Sequence, residues 1–132
     1  MPVGKTLPER HRHGREAEDA AAEHVRAHGF TILWRNVRIG SLEIDLVAKK
    51  DDLAIVVEVR TRGTGAFEKP LASVSREKRR MLLKASRGLW RGRLSKMPDV
   101  ARMRIDVIGV TRAADGSTAL EWIRGAITED DG

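Results

Sequence analysis

Two apolar stretches, "LEIDLVA" at 42–48 and "LAIVVEVR" at 53–60, stand four residues apart, and each carries acid inside it. Their β-branched content reads as strand, and the polar "KKDD" between them as a turn, so the two form a hairpin. Strand side chains alternate between faces. Glu43, Asp45 and Val47 therefore share one face of the first strand, and Val56, Glu58 and Arg60 one face of the second. A hairpin closing symmetrically about Lys50 and Asp51 sets Glu43 opposite Glu58 and Asp45 opposite Val56. Asp45 and Glu58 then become diagonal neighbours on one face, roughly 7–8 Å apart at the backbone. A one-residue slip would separate them.

Carboxylates crowded in this way repel each other and resist ionisation unless a cation sits among them. Mg2+ suits such a cluster, because it needs few protein oxygens and keeps several waters. A structural salt-bridge network with Arg60 and Arg62 would satisfy the same charges, and spacing alone does not choose between the two.

The rest of the chain supplies the elements around this hairpin. "GREAEDAAAEHVRAH" at 14–28, with Gly29 after it, reads as a helix with a glycine stop. Glu18 lines up with Ala21, Ala22 and Val25 on the face that should meet the sheet, where a carboxylate needs a partner; a solvated place at the stripe's edge is the plainer reading. "FTILWRNVRI" at 30–39 is a strand, and "TRGTGAFEKP" at 61–70 a glycine-containing loop expected to be mobile. A second helix runs over 75–90 with Ser75 as its N-cap, followed by strands at 100–110 and 119–126. Helix, three strands, helix, strand and a short last strand describe an α/β domain with a central mixed sheet flanked by helices.

At 132 residues the chain has room for one such core. We divide it into a mobile basic leader (1–13), a single domain (14–127) and an acidic tail (128–132). The leader lacks the apolar segment of a secretory signal, and no run is long enough to cross a bilayer, so no membrane role is expected. The absence of cysteine fits a cytoplasmic setting.

Formal net charge is +6, and its distribution is uneven. Residues 75–94 hold eight basic side chains against one acid. Leu82, Ala85 and Leu89 form the inward stripe of this helix, and Lys78 falls on the same line, toward the sheet. Arg76, Arg79, Arg80, Lys84, Arg87 and Arg91 are the candidate nucleic-acid contacts. With three Trp, two Phe and no Tyr, phosphate contact is favoured over base stacking. Ordinary solubility is the plainer account of the surplus charge.

Together, "GREAED" on a helix, "RN" at 35–36, "LEIDLVA", "VVEVRTR", Lys78 and "RIDVIGV" resemble the YraN-like family of bacterial proteins, placed in the PD-(D/E)XK nuclease superfamily near Holliday-junction-resolvase-like proteins. The resemblance runs from Gly14 to about Ile127 and implies a restriction-endonuclease-like core. It implies catalytic roles for Glu18, Asp45, Glu58, Arg60 and Lys78, with Asp45 and Glu58 as ligands of Mg2+ or Mn2+. The implied chemistry is metal-assisted hydrolysis of phosphodiesters in structured or branched DNA. Related resolvases act as symmetric dimers, which leaves a homodimer open. Three positions depart from the family pattern: Leu42 and Glu68 where glycines are common, and Arg60 where the motif has lysine. Arginine does not give up its proton, so Arg60 cannot serve as a general base, although it can balance charge on a phosphate. A catalytically silent nucleic-acid-binding module, or an adaptor whose basic helix docks an acidic protein, are the competing readings.

Overall fold

The computed structural model describes residues 9–62 and 69–132. Helix α1 (Glu9–Ala27) leads into strands β1 (Thr31–Ile39), β2 (Leu42–Lys50) and β3 (Leu53–Arg62); α2 (Arg76–Gly92) follows, then β4 (Arg102–Arg112) and β5 (Thr118–Ile127). Short 3-10 turns at Leu71–Ser73, Leu94–Lys96 and Glu129–Asp131 complete the order. The strands form one five-stranded sheet in the order β1-β2-β3-β4-β5. Pairing is antiparallel except between β3 and β4, the pair that α2 connects. The expected α/β class and element order hold.

The sheet separates two apolar layers. On one side Ala17, Ala21, Ala22 and Val25 of α1 pack on Leu46, Ala48, Ile55, Val57, Ile108 and Val110. On the other, Leu82, Ala85 and Leu89 of α2 pack on Ile44, Val47, Ala54, Val56 and Val107. Central β3 is covered on both faces, so Ala54 to Val57 are all fully buried. That double cover explains why its sequence reads as a nearly continuous apolar run and not as clean alternation. Ser75 caps α2 as expected, its hydroxyl accepting from the Lys78 N–H. Gly29 ends α1 at φ +93°, a conformation that favours glycine.

Two expectations about boundaries change. α1 begins at Glu9, inside the stretch read as leader, while residues 1–8 lie outside the described part. Residues 63–68 of the glycine-containing loop, Glu68 among them, also lie outside it. The acidic 128–132 segment is a turn capped by Thr128, and Glu129 and Asp131 pair with Arg87 and Arg79 of α2. Among the described residues, no helix is long and apolar enough to cross a membrane.

Candidate active site

The β2–β3 hairpin closes through the pair Lys50↔Leu53 about a two-residue turn, Asp51–Asp52, with Asp51 at φ +53°. Lys49 and Lys50 belong to the strand, not to the turn. The register is thus Leu46↔Val57 and Val47↔Val56, not the closure about Lys50 and Asp51. The ladder stops at Leu46↔Val57, so Asp45 and Glu58, the next residue on each strand, are not the diagonal ladder neighbours expected. The change of register is two residues, which keeps parity, and the two carboxylates act on each other.

Glu43 does not join them. Leu42 and Ile44 pack in the same layer as Val47, three residues on, while Leu46 packs in the opposite one. Alternation along β2 therefore slips once around Asp45. β1 does the same at Asn36, which takes the left-handed φ of +53°, a conformation asparagine tolerates better than most residues. Glu43 is left on the α1 side. There the Asn36 amide donates to Glu18 at 2.9 Å and to Glu43 at 3.1 Å. In the sequence Asn36 stands out only as part of "RN" at 35–36, without a role, and nothing there announces this bridge.

The slip also ends the β2–β3 ladder at Leu46. The Val59 N–H, left without a strand partner there, donates to Asp45 Oδ2 at 2.8 Å. Glu58, only 3% exposed, lies close enough for its charge to act on Asp45. Burial first, then the neighbouring Glu58 charge, pushes the Asp45 carboxyl up to about 7. Two cations face this pair. Lys78 Nζ reaches Glu58 Oε2 at 3.7 Å from the first turn of α2, and an Arg60 terminal nitrogen reaches the same oxygen at 3.5 Å. Lys78 points to the sheet as its helical position required.

Arg60 has further commitments. Its Nε donates to the Ser73 hydroxyl at 3.0 Å and its other terminal nitrogen to the Ser73 carbonyl at 3.2 Å. The 3-10 turn carrying Ser73 is seated by Pro70 on Gly109, the residue beside Arg60 on β4; a Cβ there would come within 2.2 Å of the Pro70 ring. Arg60 thus ties Glu58 to the chain that leads into α2.

Glu18 lies on the α1 side of the opening and is held by Asn36, with Arg35 at 4.0 Å. Burial raises its carboxyl, the Asn36 bond lowers it, and the Asp45 charge raises it again. It senses the pair without joining it. Among the described residues no three carboxylate or imidazole groups gather closely enough to cage a metal. The donor set fits an ion held by two carboxylates and otherwise by water, which is the habit of Mg2+.

On α2, Arg76, Arg80, Lys84 and Arg91 are exposed. Arg87 pairs with Glu129. Arg79 is drawn inward, donating to the Leu71 carbonyl at 2.6 Å and the Val74 carbonyl at 2.9 Å, with Asp131 at 3.5 Å. It braces the turn under Arg60 as well as facing the basic surface.

Away from the site, Asp106 is fully buried and fully partnered. It accepts from Arg104 at 2.8 and 2.9 Å, from Trp122 Nε1 at 2.9 Å and from the Gly125 N–H at 2.9 Å. It fills the irregularity where Ile105↔Ile127 gives way to Val107↔Ile123. The aspartate of "RIDVIGV" is therefore architectural.

Residues 17–110 match the family described as "Uncharacterised protein family UPF0102". The UPF0102 protein sce2912 of Sorangium cellulosum is 41% identical over 113 residues, 86% of this chain and 78% of that one. The UPF0102 protein SCO5602 of Streptomyces coelicolor is 38% identical over 113 residues, covering 85% of each. Among solved structures, Pyrococcus furiosus SfsA in complex with Ca2+ aligns with a TM-score of 0.49 at 13% identity, over 84% of this chain and 63% of that one.

Proposed function

The chain belongs to the UPF0102 family, the YraN-like family its motifs resemble, and from its geometry we propose a nucleic-acid-binding protein with a Mg2+- or Mn2+-dependent phosphodiester-cleaving centre at Asp45 and Glu58. The observation that carries this reading is the buried pair itself, with Asp45 held near pH 7 and Lys78 beside it at the foot of a basic helix. A buried carboxylate pair is costly to fold, and such costs gather at functional sites. The helix, three strands, helix, strand order matches the PD-(D/E)XK core that the sequence resembles.

Asp45 and Glu58 would hold the ion. When bound, it polarises the scissile phosphate and acidifies a water. Arg60, anchored on Ser73, fixes the direction of Glu58 and keeps positive charge beside the phosphate site. Lys78, 3.7 Å from Glu58, is the lysine of this site and balances charge beside the phosphate. The exposed cations of α2 lie along the same side of the sheet and guide a phosphate backbone to the pair, structured or branched DNA being the substrate class.

One observation favours the silent-module reading. Arg60 and Lys78 already face Glu58, a network that needs no metal. Cleavage assays separate the two. Labelled junction, duplex and single-stranded DNA are incubated with Mn2+ or chelator, beside an Asp45→Asn/Glu58→Gln variant. Metal-dependent cleavage that the variant loses supports the enzyme. Salt-sensitive binding without cleavage by wild type or by Arg60→Lys leaves the silent module, and no binding at low salt leaves an adaptor for acidic proteins. Asparagine is preferred to alanine at 45 because its carbonyl can still accept from Val59.

A further inference from the structure

The 3-10 turn after β5 carries three consecutive acids, Glu129, Asp130 and Asp131, and lies against the most basic element of the protein. Glu129 pairs with Arg87 and Asp131 with Arg79, at 3.5 Å in the second case. Asp130 and Asp131 line an open cleft together with Ser75, Arg76, Arg79 and Arg80, at the N-terminal end of α2. Carboxylates there occupy the place that phosphate oxygens would take, because the first turn of a helix and its arginines favour any anion.

Of the two pairs that hold this turn, Arg79–Asp131 is about a quarter exposed and the other is loose. Glu129 is 79% and Arg87 45% exposed, so their pair is well solvated and screened by salt. The turn is organised mainly from within: the Thr128 hydroxyl accepts from the Asp130 N–H, and Asp131 accepts from the Thr128 N–H. Ile127, buried at 3%, anchors the chain just before it. The turn can therefore swing about 127–128 as a unit without unmaking the core.

We propose that the acidic turn Glu129–Asp131 is an internal competitor for the phosphate backbone, holding Arg79 and Arg87 in the free protein and giving way when a nucleic acid binds. The proposal rests on the reading of α2 as the nucleic-acid face and names how that face is regulated. A polyanion wins the exchange because each phosphate it places on α2 also releases condensed counterions, which three isolated carboxylates do not. The turn then works as a threshold, rejecting single anions and short strands while admitting longer ones.

The test is fluorescence anisotropy with a labelled duplex over a series of salt concentrations. The variant is Glu129→Gln/Asp131→Asn, and the charge-matched control is Glu16→Gln/Glu23→Gln on α1, across the sheet. Removing the competitor should tighten binding roughly 3- to 10-fold at low salt, and the salt slope should steepen by about two contacts' worth. The control should move affinity much less. Because Asp131 also caps its own turn, Glu129→Gln alone is included and should give about half the effect on a logarithmic scale. Wild-type binding that neither variant tightens beyond the control overturns the proposal and spares the nucleic-acid reading. Absence of salt-sensitive binding in every protein overturns both.

Discussion

Replacing Asp45 by asparagine should flatten the dependence of folding stability on pH. In the metal-free protein the Asp45 carboxyl is pushed from 3.8 up to about 7 by burial and by Glu58. Between those values the folded chain holds a proton that the unfolded chain has released. Stability is therefore highest at low pH and falls as pH rises toward 7. Each unit is worth 1.36 kcal/mol, so the loss from pH 5 to pH 8 is about 2–3 kcal/mol. His24, packed against His28 and Trp122, works the other way, since burial lowers its pKa and favours stability as pH rises. For that reason the quantity to measure is the difference between wild type and Asp45→Asn in urea denaturation at pH 5 and pH 8. The variant keeps an acceptor for the Val59 N–H but carries no charge to bury, so it should gain on wild type by that amount at pH 8. Millimolar Mn2+ at pH 8 should restore wild type and leave the variant unmoved. Parallel pH profiles for the two proteins would refute the reasoning.

Two structural residues give sharper tests of the fold. Asp106→Ala removes a fully buried acceptor of four hydrogen bonds and strands the Arg104 guanidinium, so it should cost about 3–5 kcal/mol by urea denaturation; a loss below about 1 kcal/mol would contradict that account. Gly109→Ala drives a methyl into the Pro70 ring and should cost about 1–3 kcal/mol in thermal denaturation. A double-mutant cycle of Gly109→Ala with Arg60→Ala should be non-additive, since both act through the turn that carries Ser73; additive losses would mean the turn is not shared.

The α/β class and the two helices that sandwich the sheet were legible because their signals are local. Alanine spacing marks the face of α1, leucine spacing marks α2, and β-branched runs mark the strands. Asp45 and Glu58 on one face followed from parity, which survives a two-step change in register. Which residue opposed which did not follow, because the turn could take two or four residues from "KKDD" and Asp51 accepts a left-handed φ that the sequence does not announce. Glu43 was misplaced for a related reason. A slip in alternation is set by Asn36 and by β2 leaving β3, and both depend on packing between strands. The partners of Arg79 and of the acidic turn were invisible because they join residues about fifty positions apart by charge alone. Charge counts reveal an imbalance but not who neutralises whom.

A continuous sheet insulates the helices on its two faces, since its ladder leaves no gap through which they could influence each other. Here the β2–β3 ladder opens at Asp45, and the insulation fails there. Glu18 of α1 senses the Asp45 charge from one side, and Lys78 of α2 senses it from the other. The two helices are therefore thermodynamically linked through a carboxylate that belongs to neither. Whatever changes protonation or charge at Asp45 must shift the energetics on both faces together, and by reciprocity an anion arriving on α2 alters the proton affinity of a carboxyl on α1.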